Sequence, residues 1–334
     1  MSGAHKSGAL LEVSGLSVDI PTEAGVLHAV RDVSLAVRRG ETLCVVGESG
    51  CGKSLTSLAI MGLLPPSAQR RAHRLALAGE DLQAAPARRL RALRGDRMAM
   101  IFQDPMTCLN PAWTIGNQLE EIFTWHGKGN RRAAHDRAVA LLERVGMANA
   151  AGRLSQYPHQ LSGGLRQRVM IAMALMCSPD LVLADEPTTA LDATIQLGIL
   201  QLLAELQAEL HMGLMLVTHD LGVVARIADR VAVMYAGEVV EEGPARTVFT
   251  APRHPYTRGL IDCIPQPDRM VPGQRLGTIP GMVPSLVGEV QGCAFRTRCA
   301  FARPECAADV APRHGPDAHM WRCVLPPGML ERAA

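Results

Sequence analysis

The sequence predicts an α/β fold with a largely parallel sheet. Three observations carry the prediction: apolar runs of strand length that each end in polar residues, a long helix-patterned stretch between the first two runs, and an apolar strand, turn and strand around residue 235. The run at 43–46 ends in Gly47, and a helical stretch begins near Lys53, giving strand, glycine loop and helix. The run at 181–184 ends in Asp185 and Glu186, and the run at 214–218 ends in His219. Open parallel sheets bind ligands at the C-terminal ends of their strands, so these polar residues are candidates for a site.

About 130 residues separate the first two runs, far more than a crossover requires. Much of 111–176 has helical patterning, which predicts an inserted helical subdomain over about 105–178. Residues 231–235, Ala236-Gly237 and 238–241 read as a closing hairpin. After Ile264 the texture changes: Pro265, Pro267, Pro272 and Gly273 mark a linker, and the remainder is loop-rich with four clustered cysteines. The predicted organisation is a tail at 1–10, a main domain at 11–264 and a small extension at 265–334.

A chain of 334 residues with 48% hydrophobic composition can bury a substantial core. A formal charge of +2 and 3% aromatic content supply no global basic field and few stacking platforms, which argues against a nucleic-acid partner. The arginine-rich stretch at 88–94 reads as a solvated helix face. The longest uncharged apolar run, 169–177, falls short of the ~18–20 residues that cross a bilayer, and 1–10 has no signal-peptide core. The expectation is a cytosolic protein whose membrane role, if any, requires partner subunits. Nine cysteines in that compartment read as free thiols or metal ligands.

Gly47-Glu48-Ser49-Gly50-Cys51-Gly52-Lys53-Ser54 fits the GxxxxGK[ST] phosphate loop in its required strand-to-helix context. Glycines let backbone N–H groups turn inward around phosphates; Lys53 can reach the β and γ phosphates and the Ser54 hydroxyl can ligate Mg²⁺. The apolar strand ending in Asp185-Glu186 complements it. Asp185 suits the Mg²⁺ shell, and Glu186 suits the water attacking the γ phosphate, as general base or orienting group.

Leu161-Ser162-Gly163-Gly164-Leu165-Arg166-Gln167 resembles the LSGGQ signature of ABC ATPases, with Leu165 in place of the usual glutamine. Gln103, Ala190-Leu191-Asp192 and His219 match other landmarks of that family in order. The resemblance implies an ABC nucleotide-binding domain with an antiparallel β subdomain and an inserted helical subdomain. It further implies a head-to-tail dimer in which two ATP molecules lie between the phosphate loop of one chain and the signature (Leu161, Ser162, Gly163, Gly164, Arg166, Gln167) of the other. In it Gln103 reaches Mg²⁺ and couples to the membrane subunits, Asp192 lies at the dimer interface and His219 contacts the γ phosphate. The family often stacks an aromatic residue on adenine; here 18–21 offers only Ile20.

Longer stretches resemble the dipeptide and oligopeptide importer branch: 102–111, with Cys108 for the usual serine, 157–160, and His254-Pro255-Tyr256-Thr257-Arg258. That resemblance implies an ATP-hydrolysing subunit at the cytoplasmic face of the membrane. Its expected partners are a related second ATPase, two integral membrane permease subunits and an extracytoplasmic peptide-binding protein. The same motor in a nickel or other small-solute importer is the alternative within the branch. A soluble ABC ATPase acting on DNA or the ribosome is the alternative of another class, disfavoured because no coiled-coil insertion or paired nucleotide domain is present.

Cys293, Cys299, Cys306 and Cys323 lie in a stretch poor in long apolar runs, which lacks the core to fold alone. Both Zn²⁺ and an iron–sulfur cluster accept four thiolates, and the absence of CxxC pairs disfavours zinc. Members of the branch have a similar pattern associated with a [4Fe–4S] cluster, which the resemblance therefore implies here. Cys44, Cys51, Cys108, Cys177 and Cys263 read as core or loop thiols.

Overall fold

The computed structural model describes residues 8–189, 191–264, 277–288 and 290–330. The tail at 1–7, Ala190 and the linker residues Pro265, Pro267, Pro272 and Gly273 lie outside the described residues. The chain opens with two long strands, β1 (Ala9–Thr22) and β2 (Gly25–Arg38). It continues through β3 (Thr42–Val46), α1 (Lys53–Met61), β4 (Gln69–Arg71), β5 (Arg74–Leu77), β6 (Glu80–Asp81), α2 (Ala87–Leu93) and β7 (Met98–Ile101). Between β7 and β8 (Leu181–Asp185) the regular elements are helical: α3 (Pro105–Cys108), α4 (Ile115–Trp125), α5 (Arg131–Arg144), α6 (Ala150–Arg153) and α7 (Gly163–Leu175). Then follow α8 (Ala193–Leu210), β9 (Gly213–Thr218), α9 (Leu221–Ile227), β10 (Arg230–Tyr235), β11 (Glu238–Pro244), α10 (Ala245–Thr250) and α11 (Pro255–Asp262). Two short strands, β12 (Arg313–His314) and β13 (Met320–Trp321), close the described chain.

These elements form two compact units. The first comprises Met1–Leu11, Val37–Thr42 and Leu77–Val217; the second comprises Glu12–Ala36, Leu43–Ala76 and Thr218–Ala334. In the first, β7, β8 and β9 run parallel, with Met98 opposite Leu181 and Asp185 opposite Val217. Both β8 and β9 are buried along their whole length, which is why they read as unbroken apolar runs instead of alternating ones. Asp180 anchors the start of β8: its carboxylate pairs with Arg39, at 2.7 Å, and with Arg97. Those guanidinium groups hold its pKa below the usual range for aspartate, against the opposing effect of its burial. α2 carries the arginine-rich stretch; Arg88, Arg89 and Arg91 are exposed, Leu93 is buried, and Arg89 pairs with Glu80 at 2.6 and 2.8 Å.

In the second unit β1 lies beside β2 and β5 and pairs antiparallel with β4, Ser17 opposite Arg71. β10 runs parallel to β3, Arg230 opposite Leu43, and antiparallel to β11. The hairpin expected at 231–241 is present, and its two turn residues, Ala236 and Gly237, both have positive φ, as a tight turn matched to strand twist requires. The C-terminal stretch packs into this unit: β13 pairs with β11, Glu241 opposite Trp321, and Trp321, Cys323, Leu325 and Leu330 form a buried cluster.

Glu241 is 0% exposed, a burial that a carboxylate tolerates only when its oxygens are matched. It accepts hydrogen bonds from the Arg253 amide (2.7 Å), the His254 amide (2.9 Å) and His319 Nε2 (2.8 Å), tying the start of α11 and the C-terminal stretch to β11. Burial pulls the His254 pKa down to about 4, so this imidazole is neutral, and its Nδ1 accepts the Tyr256 amide at 3.1 Å. Replacing Glu241 by Ala strands two amides and an imidazole, at about 1–3 kcal/mol for each unsatisfied group. Glu241→Ala is expected to lower the thermal unfolding midpoint by several degrees, followed by circular dichroism; an unchanged midpoint would contradict this role.

Candidate functional site

The candidate residues divide between the units: the phosphate loop and His219 belong to the second, and Gln103, Asp185, Glu186, the signature and Asp192 to the first.

The phosphate loop is built by close backbone approach. Gly47 and Gly52 have φ of 155° and 100°, and a Cβ on them would sit 2.2 Å from the Met234 carbonyl oxygen and 2.4 Å from that of Ala29. Only glycine fits at either position. The hairpin turn joins this support, since the Gly237 amide donates to the Cys51 carbonyl at 3.0 Å. Ser49 and Gly50 form the exposed crest, while Cys51, Gly52 and Lys53 are buried. Lys53 stands at the first turn of α1, and its ammonium folds back on the loop, donating to the Gly47 carbonyl (2.8 Å) and the Glu48 carbonyl (3.0 Å). A cation held by loop carbonyls at a helix start is suited to phosphate. Ser54 is the next residue of α1, and His219 is exposed in the turn after β9.

Sequence reasoning missed what holds this loop from below. The Glu48 amide donates to Tyr256 Oη at 2.8 Å, and Tyr256 is fully buried, with a phenol pKa raised far above its ordinary value chiefly by that burial. The motif at 254–258 therefore has a structural role, in which Tyr256 is a strut under the loop. Arg298 grips the Glu48 carboxylate with both terminal nitrogens, at 2.7 and 2.9 Å. It lies 250 residues away in sequence, so no local pattern could have pointed to it.

In the first unit, β8 delivers Asp185, buried, and then Glu186, whose backbone takes the left-handed conformation at φ 43°. That conformation is costly for a non-glycine residue and is commonly maintained at functional sites. The turn is held by the Glu186 amide donating to the Val217 carbonyl at 2.9 Å. Its carboxylate accepts from Thr189 Oγ1 at 2.9 Å and from Gln103 Nε2 at 3.3 Å. The structure therefore brings Gln103 and Glu186 together, with Thr189 as an orienting hydroxyl that sequence reasoning did not single out. Asp104 caps α3, accepting from the Met106 amide at 2.8 Å, and so fixes the chain just after Gln103.

Ser162 is the N-cap of α7, with Ser162 and Gly163 exposed at the free helix end and Leu161, Gly164 and Gln167 buried. Arg166 donates to the Pro158 carbonyl at 2.7 Å, bracing the turn into the helix. Leu165 is partly buried. Asp192 caps α8, accepting from the Ile195 amide at 3.0 Å. An exposed helix N-terminus with small residues is an anion-binding surface.

All nine cysteines are free. Cys293, Cys299, Cys306 and Cys323 line one cavity of about 10 Å³ together with Phe295, Phe301 and Leu325. Burial raises the pKa of Cys293 and Cys299, and raises that of Cys323 to about 11; opposing it, the amides of Phe295, Phe301 and Leu325 hydrogen-bond the respective sulfurs. Among the described residues no three His, Cys, Asp or Glu side chains form a group able to hold a metal ion.

A phosphate loop opening a helix, and a buried strand that ends in two acids beside a glutamine, define a nucleoside-triphosphate-hydrolysing protein. The ABC transporter family model matches residues 30–189, and the model of the oligopeptide/dipeptide transporter C-terminal region matches 240–306. A putative peptide import ATP-binding protein of Brucella melitensis is 49% identical over 326 residues, covering 94% of this chain and 96% of that one. Dipeptide transport ATP-binding proteins of Bacillus subtilis and Escherichia coli are 49% and 48% identical, covering 87% and 90% of this chain and 86% and 91% of theirs. A dimeric ATP-binding cassette solved in a post-hydrolysis state bound to ADP and Pi superposes with a TM-score of 0.63 at 28% identity, covering 71% of this chain and 99% of that one. An ABC transporter component from Clostridium perfringens gives a TM-score of 0.61 at 27% identity, covering 73% and 91%. The chain belongs to the ATP-binding subunits of the dipeptide and oligopeptide ABC transporter family, and it is an ATPase.

Gly52→Ala forces a Cβ against the Ala29 carbonyl, and the strained φ adds about 1–3 kcal/mol. MgATP affinity measured by calorimetry is expected to fall at least about tenfold. Native affinity in this variant would exclude the close-approach account.

Proposed function

We propose that this chain binds MgATP at its phosphate loop and hydrolyses it within an ATPase dimer that drives import of di- and oligopeptides. The chemical assignment of the residues follows from their types and surroundings. Lys53 meets the β and γ phosphates, and the Ser54 hydroxyl, Gln103 and Asp185 serve Mg²⁺. Glu186 takes or orients the attacking water, in an orientation favoured by Thr189 and Gln103, and His219 contacts the γ phosphate. The exposed start of α7 provides the signature surface for a second chain's nucleotide, with Asp192 at the dimer interface. ATP and Mg²⁺ are the cofactors implied.

The observation that carries the peptide reading is similarity along 94% of the chain to a peptide import ATP-binding protein, including the C-terminal region at 240–306. Among the described residues no helix is long and apolar enough to cross a membrane. Similarity to dipeptide transport ATP-binding proteins supports a reading with two integral permease subunits, a related second ATPase and an extracytoplasmic peptide-binding protein, with this chain peripheral at the cytoplasmic face. The domain reading is a main nucleotide-binding domain at 11–264, with an antiparallel β subdomain and a helical insert, and an extension at 265–334.

Glu186→Gln is expected to lower kcat by about 10²–10⁴-fold while leaving MgATP binding intact. Uptake of a labelled dipeptide by cells carrying this variant at native protein level is expected to be lost, with nickel uptake as the control. Peptide uptake unchanged, or nickel uptake lost instead, would reject the peptide assignment.

The four-cysteine cavity is read as a [4Fe–4S] site, with Zn²⁺ as the alternative. Cys293, Cys299, Cys306 and Cys323, which line one cavity, would hold the cluster, and the amides that hydrogen-bond three of the sulfurs would support thiolate ligation against the upward pull of burial on those thiols. Bound there, it would crosslink a stretch that has little core of its own. Anaerobic reconstitution with iron and sulfide is expected to give about four irons per chain and a broad visible absorption, reduced in Cys299→Ser. Stoichiometric zinc without iron would favour the alternative.

A further inference from the structure

The loop that must receive a polyanionic triphosphate carries a carboxylate of its own, Glu48, and the structure supplies one specific counter-charge. Arg298 donates through Nη1 to Glu48 Oε2 (2.7 Å) and through Nη2 to Oε1 (2.9 Å), a fork-to-fork pair. Its side chain is only 4% exposed. Nε donates to the Pro280 carbonyl (2.8 Å), Nη2 also to the Ile279 carbonyl (3.2 Å), and Nη1 to Tyr235 Oη (3.3 Å). The guanidinium carbon lies 5.7 and 5.8 Å from the ring centres of Tyr235 and Phe295. A guanidinium so immobilised loses little freedom when it holds a carboxylate. The same Glu48 gives its amide to Tyr256 and its carbonyl to Lys53, so each of its polar groups is committed to the geometry of the phosphate loop.

We propose that Arg298 is a positioning residue for nucleotide binding, which neutralises Glu48 and draws its carboxylate away from the triphosphate. Removing it leaves Glu48 as an uncompensated anion on a loop built for phosphate, and like charges repel. Arg298 lies next to Cys299 in sequence, so the cysteine-lined stretch presents the counter-charge to the loop. The inference rests on the nucleotide-binding reading of that loop.

The test is MgATP binding by isothermal calorimetry, and steady-state ATPase kinetics, on full-length native protein, Arg298→Ala, Arg298→Lys, Glu48→Gln and the double variant Arg298→Ala/Glu48→Gln. Arg298→Ala is expected to raise Kd and KM about tenfold with kcat changed little, and the difference is expected to shrink at high salt. Arg298→Lys retains charge but not the fork and is expected to fall between the two. The decisive result is rescue: Glu48→Gln removes the anion, so the double variant is expected to bind MgATP more tightly than Arg298→Ala. A double variant as weak as Arg298→Ala would mean that Arg298 only holds the C-terminal stretch in place, and would overturn the proposal. Native-like binding by Arg298→Ala would overturn it equally. Failure of the native protein itself to bind MgATP would bring down the nucleotide reading and this inference with it.

Discussion

The second unit is organised around one electrostatic constraint, a lysine ammonium held at 4% exposure inside the phosphate loop. A buried cation is tolerated only where its donors are taken, and Lys53 gives them to the carbonyls of Gly47 and Glu48. Those carbonyls face inward only because the loop follows a path closed to residues with a Cβ, pressed against the backbones at Met234 and Ala29. The strands that supply Met234 and Ala29, β10 and β2, are thereby part of the site without contributing a side chain to it. In the proposed binding mode, phosphate oxygens take the place of those carbonyls as partners of Lys53.

The carboxylate end of the first unit meets a different demand with the same means. Glu186 must stand apart from the strand that carries it, and the change from extended β8 to a left-handed backbone at φ 43° accomplishes this in one residue. The strain is offset locally by the bond to the Val217 carbonyl, and the side chain is then held by Thr189 and Gln103. The water-orienting role proposed for Glu186 needs a restrained carboxylate, and these two donors restrain it.

The motifs were legible because each is local. Gly47 to Ser54, Asp185-Glu186 and the Ser162 helix cap declare themselves within a few residues, and the apolar runs gave β3, β8 and β9 because strands buried on both faces cannot alternate. The hairpin around Ala236-Gly237 was equally plain. The long strands β1 and β2 were not, since their half-buried alternation is broken at Gly15 and at the Asp32 positive-φ position. Tyr256 was visible only as one residue of a motif whose physical purpose was unassigned, and Arg298 was not visible at all. Partners separated by 208 and 250 residues are decided by tertiary packing, and a sequence carries no periodic trace of them.

Those two distant partners alter the meaning of the C-terminal stretch. Tyr235, Tyr256 and Phe295 pack with ring centres 4.6 to 5.4 Å apart, so the turn holding Cys293 to Cys299 is joined to the underside of the phosphate loop by aromatic contact as well as by the Arg298 fork. Aromatic residues are only 3% of the sequence, yet three of them meet here. Beyond the small buried cluster around Trp321 and Leu325, this stretch gains order from such contacts. Order there is therefore coupled to order at Glu48: loosening the cysteine-lined turn frees the guanidinium, and a free guanidinium leaves the loop with an unbalanced carboxylate. The extension thereby helps set the charge that the nucleotide meets.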